Sequence, residues 1–232
     1  MKKLVRGLNV NTAVAFAFTA LALLYSLGRL IFLFAAFGYY DTQYVILNSL
    51  CALTLGASEL LFCMGVVNKN KTRKLLLWSA ITAGSAIVLY SLYILLDYSK
   101  VISAYNTFIS VLAAAQVAFS SNYLGVLFAL SISIAAAVLM SLYVGGKLKN
   151  KILVKSFLVA GWFLCLFQMI CYKMEGGLFL ISVLILFAAY LLLLSSNDIF
   201  SADTEVSIPE VVLLSIVTFG VYFIIWMASI VK

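Results

Sequence analysis

The chain has 232 residues, 66% of them hydrophobic and only 10% charged, with a formal net charge of +7. So few polar side chains cannot clothe a water-soluble globule, which excludes a soluble fold and leaves a membrane-embedded one. The apolar runs follow one another with short polar breaks, so we expect one integral membrane domain over 1–232, a bundle at 1–209 followed by a last span at 210–232.

Crossing the hydrocarbon core takes about 20 mostly apolar residues. In chain order the segments that qualify are 13–39, 44–67, 75–96, 122–144, 152–172, 177–194 and 210–231. The expected fold class is therefore all-α, a polytopic transmembrane helical bundle of about seven spans plus one outer amphipathic or re-entrant helix. The first span follows Lys2, Lys3 and Arg6 and contains Ala20 and Ala22, which resembles a secretory leader. Its apolar run continues to Tyr39, however, and we read it as a retained span.

Orientation follows from the cations, because Lys and Arg in short loops remain cytoplasmic. The basic clusters are Lys2, Lys3 and Arg6, then Lys69, Lys71, Arg73 and Lys74, then Lys147, Lys149 and Lys151. They fall on one side if a single crossing lies between Lys100 and Lys147. The expectation is a bacterial-type inner-membrane protein with its N-terminus in the cytoplasm and its basic loops against anionic lipid headgroups. The positive charge is thus explained without nucleic acid.

Residues 101–119 are the ambiguous segment. They are apolar enough to span, but Ser103, Asn106, Thr107 and Ser110 form a weakly polar stripe, and a full crossing would reverse the Lys147 cluster. An outer amphipathic or re-entrant helix reconciles both observations. The next segment carries Gly125, Ala129, Ser133, Ala137, Ser141 and Gly145 at intervals of four. Small side chains let helices approach closely in lipid, so this helix-packing face predicts a central position.

Arg29 and Glu59 are the charges set inside apolar runs, where an ionised side chain is costly and tends to meet a partner or a wet cavity. Rises of about 1.5 Å per residue along spans of opposite direction separate them by roughly 9 Å in depth. Asn48 and Gln168 lie at the depth of Arg29, so the candidate intramembrane polar site is Arg29, Glu59, Asn48 and Gln168. It is either a proton- or ligand-sensing cluster or a pair that fixes the first two helices. Lys155, one turn into its span, reaches the surface unaided.

The chain contains no histidine, which removes the commonest catalytic base and metal ligand. Cys51, Cys63, Cys165 and Cys171 all sit in apolar runs without ligand spacing and read as buried thiols. The acidic stretch 195–208 lacks the alternating oxygen ligands of a calcium loop. No metal, no prosthetic cofactor and no enzyme activity is expected. Ser207 and Glu210 flank Pro209 in a capping-box arrangement that opens the last span.

Within that last span, Thr218-Phe-Gly220-Val-Tyr222, followed by Trp226, resembles a bacterial membrane domain of unknown function, number four-two-three-four in the domain-of-unknown-function series. The similarity covers about the last tenth of the chain. Members resembling it usually continue into a basic tail, which would imply a cytoplasmic C-terminus and an eighth span at 101–119, whereas this sequence stops at Lys232. The resemblance implies membrane location and no mechanism. Thr218, Tyr222 and Trp226 share one helix face at spacing four.

Two functional readings follow. The first is a non-catalytic membrane protein that packs against a membrane-protein partner or its own copies, which accounts for the small-residue face. The alternative is a small-molecule or ion transporter or channel that uses Arg29 and Glu59.

Overall fold

The computed structural model describes residues 10–35, 42–68, 71–104, 123–171, 177–195, 212–213 and 216–218. The regular structure among the described residues is all helical, in the order α1 (Val10–Ala35), α2 (Thr42–Val67), α3 (Thr72–Ala104), α4 (Tyr123–Val144), α5 (Lys151–Cys171) and α6 (Gly177–Leu194). Five of them, α1 to α5, contain stretches long and apolar enough to cross a membrane. The sixth is apolar but shorter, while the expected span 210–231 falls almost wholly outside the described residues. Backbone groups in these helices bond internally, the condition a low-dielectric surround imposes.

Local signals set the helix ends. Gly146 has φ of +77°, its N–H donates to the Tyr143 carbonyl, and the Lys147 N–H donates to the Leu142 carbonyl. This is a Schellman cap, and glycine occupies the left-handed position because a Cβ is disfavoured there. Four residues later the Asn150 side chain accepts from the Leu153 N–H at 3.0 Å and caps α5. The α4–α5 connection is therefore tightly specified.

Neighbouring helices in sequence pack side by side, and α6 closes the ring by returning to α1 as well as α5. The contacts run antiparallel. A Cβ on Gly84 would lie 3.5 Å from the Ala137 Cβ, and towards one end of the α3–α4 pair a Cβ on Gly145 would lie 3.7 Å from Leu77 Cδ1. At the other end the Tyr123 hydroxyl donates to Asp97 Oδ2 at 2.5 Å, beside a Tyr98–Tyr123 ring contact. Residues 101–104 continue α3, and the rest of the expected outer helix lies outside the described residues. Its flanks nevertheless meet at one end of the bundle, whereas a single crossing would put them at opposite ends. Lys71, Arg73 and Lys74 of the second basic cluster consequently share the other end with the third cluster.

Position within the bundle departs from expectation. The helix with the small-residue face, α4, packs between α3 and α5, whereas α6 is the interior helix. From Phe179 to Ser195 the α6 segment is buried on every face except for partial exposure at Ile181 and Ile185. Phe179 stacks on Tyr90 of α3 at 4.2 Å, Tyr190 meets Phe62 of α2 at 5.3 Å, and Phe187 abuts Gly161 of α5. The Asn11 side chain of α1 donates to the Ser195 carbonyl at 3.4 Å. A helix apolar all round suits either lipid or a protein interior, so composition could not make this choice.

The outer belt is apolar, with Leu24, Ile31, Leu53, Trp78, Phe128, Phe167 and Ile170 among its exposed side chains. Hydroxyls at Thr54, Thr82, Ser85 and Ser131 donate back to carbonyls one turn earlier in their own helices. That arrangement lets a hydroxyl face an apolar medium without losing its hydrogen bond.

Candidate functional site

The α1–α2 pair carries both of the charges set inside apolar runs, and they have different fates. Arg29 sits near the C-terminal end of α1 and Asn48 near the N-terminal end of α2, at matching depth in an antiparallel pair. Arg29 Nη2 donates to Asn48 Oδ1 at 2.7 Å. Asn48 Nδ2 donates to the Tyr44 carbonyl at 3.0 Å, which turns the amide oxygen towards the guanidinium. The Phe179 ring of α6 lies 5.9 Å from the Arg29 guanidinium carbon. This contact is at the outer limit of a cation–π interaction.

Glu59 is two turns further along α2 than Cys51 and is completely buried. Among the described residues neither carboxyl oxygen has a hydrogen-bond partner. The Ser26 hydroxyl of α1 approaches it without reaching hydrogen-bond geometry, and Cys63 and Tyr190 lie within its electrostatic reach. Gly56 opens the space on the α1 side, where an added Cβ would stand 3.7 Å from the Ser26 Cβ. The structure thus joins Arg29 to Asn48 and leaves Glu59 unpaired. Gln168 is buried near the C-terminal end of α5, the end that also holds Arg29.

A hydroxyl network that sequence reading missed adjoins Glu59. Ser58 Oγ donates to the Ser79 carbonyl at 2.7 Å, and Ser79 Oγ donates to the Ser58 carbonyl at 2.8 Å, so the two serines lock α2 to α3 reciprocally. The Tyr190 hydroxyl of α6 lies 2.7 Å from Ser79 Oγ. All three residues are buried. Only the chain position of Ser58 beside Glu59 hinted at this, since serine and tyrosine are ordinary in apolar helices. The α1–α2 region also holds the Tyr25 hydroxyl and Ser49 Oγ, both buried without a hydrogen-bond partner among the described residues.

Of the small-residue face, Ala129, Ser133 and Ala137 are buried, Gly125 and Ser141 are half-buried, and Gly145 is exposed. Steps of four advance about 40° around a helix of 3.6 residues per turn, so only the middle of the row stays on the interface. Ala137 faces Gly84 of α3, while Ser133 faces Gly161 and lies 3.3 Å from Cys165 Sγ of α5. Cys51, Cys63 and Cys165 are free buried thiols. Among the described residues no group of His, Cys, Asp and Glu could hold a metal ion.

Thr218 is fully buried, and the other residues of the terminal motif, Gly220, Tyr222 and Trp226, lie outside the described residues. Compared with known proteins, the chain matches no family model, no curated protein and no solved structure.

Proposed function

We propose that this chain is a multi-pass membrane protein, of the bacterial inner-membrane type with a cytoplasmic N-terminus, that binds and passes a proton or small monovalent cation at Glu59. The observation that carries this reading is the Glu59 carboxyl, fully buried between α1 and α2 with no hydrogen-bond partner on either oxygen among the described residues. An isolated carboxylate in an apolar interior is expensive by several kcal/mol or more (roughly, for any unpaired buried ion). A proton or a cation relieves that cost, and a protein that gains nothing from exchanging one has little physical reason to keep the group there.

Two further features support the same reading. Arg29 has its own partner in Asn48, so Glu59 is not serving as a structural counter-ion. The small-residue face of α4, which favoured a membrane-protein partner or homo-oligomer, is largely occupied within the chain by Gly84 and Gly161. The similarity of the last span to the domain of unknown function agrees with membrane location and adds no chemistry.

The test is flux in proteoliposomes containing a pH-sensitive dye, driven by a potassium diffusion potential, with sodium uptake followed in parallel. Wild type should move protons or sodium faster than protein-free vesicles, and Glu59→Gln should return flux to the protein-free level. Equal flux in wild type and Glu59→Gln would sink the proposal, as would wild-type flux no greater than that of empty vesicles.

A further inference from the structure

Two basic segments some seventy residues apart in sequence become one surface. Lys71, Arg73 and Lys74 stand at the start of α3, while Lys147 and Lys149 stand in the α4–α5 connection, and all five are exposed. Antiparallel packing of α3 on α4 brings them together, with Leu77 against Gly145 and Arg73 within electrostatic reach of Tyr143. Both segments are held by hydrogen bonds. The Lys71 N–H donates to the Asn68 carbonyl at 3.0 Å, and Lys147 is fixed by the Schellman cap at Gly146. Lys149 immediately precedes the Asn150 cap of α5, whose helix N-terminus adds positive potential.

No acid offsets this charge among the described residues. The acids described are Glu59, buried inside the bundle, and Asp97, which accepts from Tyr123 at the opposite end. Trp78 lies one turn beyond Lys74 and is half exposed, in the position of an aromatic at a membrane–water boundary. The patch is therefore at headgroup level and adjoins the apolar belt, which suits a lipid and not a soluble anion.

We infer that the start of α3, at Lys71, Arg73 and Lys74, and the α4–α5 connection together bind one lipid that carries two phosphodiesters, each phosphate engaging the cations of one segment. Two cation groups held at fixed separation favour linked phosphates over separate ones, because the second contact forms at a high effective concentration. Single-phosphate lipids have no such advantage. The site is independent of Glu59.

Native mass spectrometry of the delipidated full chain, offered cardiolipin and phosphatidylglycerol at equal phosphate, tests the inference. Cardiolipin should be retained preferentially at one molecule per chain. Lys147→Gln with Lys149→Gln should lower cardiolipin retention on the order of tenfold, as should Arg73→Gln with Lys74→Gln, given the energy of a cation near an anionic headgroup. Lys147→Arg with Lys149→Arg should keep it, which separates charge from misfolding. Equal retention of the two lipids per phosphate, unchanged retention in both glutamine variants, or displacement of cardiolipin by millimolar glycerol phosphate would overturn the inference.

Discussion

Arg29 and Asn48 bridge the first two helices through a 2.7 Å hydrogen bond, and Glu59 takes no part in it. A charged donor to a neutral acceptor contributes about 1.5–3 kcal/mol net. Arg29→Gln and Asn48→Leu should each lower thermal stability in detergent by about that amount. Because they remove one bond, the double variant should lose little more than either single one. Arg29→Gln combined with Glu59→Gln should instead be additive. A non-additive Arg29–Glu59 cycle would show that the two charges act as a pair.

Glu59→Gln replaces an ionisable group by a neutral one of the same shape. Among the described residues no donor reaches the carboxylate in hydrogen-bond geometry, so the variant should express normally and melt at the wild-type temperature or above it. The expected gain is of order 1 kcal/mol, the scale of relieving a poorly satisfied buried polar group. A large loss of stability would mean that the carboxylate holds the bundle together.

Gly161 and Gly28 offer a matched pair of glycine substitutions. A Cβ on Gly161 would stand 2.9 Å from Phe187 Cε2 and 3.3 Å from Ser133 Oγ, whereas one on Gly28 would meet nothing within 4 Å. Gly161→Ala should cost about 1–3 kcal/mol through overpacking, and adding Phe187→Leu should recover part of it. Gly28→Ala should be neutral or stabilising by up to about 1 kcal/mol through helix propensity. Thermal unfolding of the three variants checks both expectations.

Tyr190 ties the interior helix to the α2–α3 serine pair through its hydroxyl. Tyr190→Phe keeps the ring against Phe62 and deletes only that bond, so it should cost about 1 kcal/mol. Ser79→Ala removes the reciprocal bond to Ser58 as well and should cost more. If the two variants melt alike, the tyrosine hydroxyl and not the serine pair carries the network.

The antiparallel packing of α3 and α4 makes a topological prediction. Reporters fused after Lys100 and after Asn122 should read the same side of the membrane. Opposite readings would require 101–119 to cross alone, against the Asp97–Tyr123 contact. A reporter after Lys232 tests separately the expected external C-terminus.

The sequence by itself determined the helices and where most of them stop, because those depend on local chemistry. Apolar runs of sufficient length specify helix, and the expected bounds of 122–144, 152–172 and 177–194 differ from the observed helices by a residue or less. Only the tertiary structure decided which helix lies inside. Lipid and protein interiors accept the same side chains, so the uniformly apolar α6 gave no sign that it, and not α4, takes the interior place. The same holds for polar pairing: sequence placed Arg29, Asn48 and Glu59 by depth, but depth leaves open which faces of α1 and α2 meet. Their packing gave Asn48 to Arg29, left Glu59 alone beside Ser26 and Tyr190, and merged two distant basic segments into one surface.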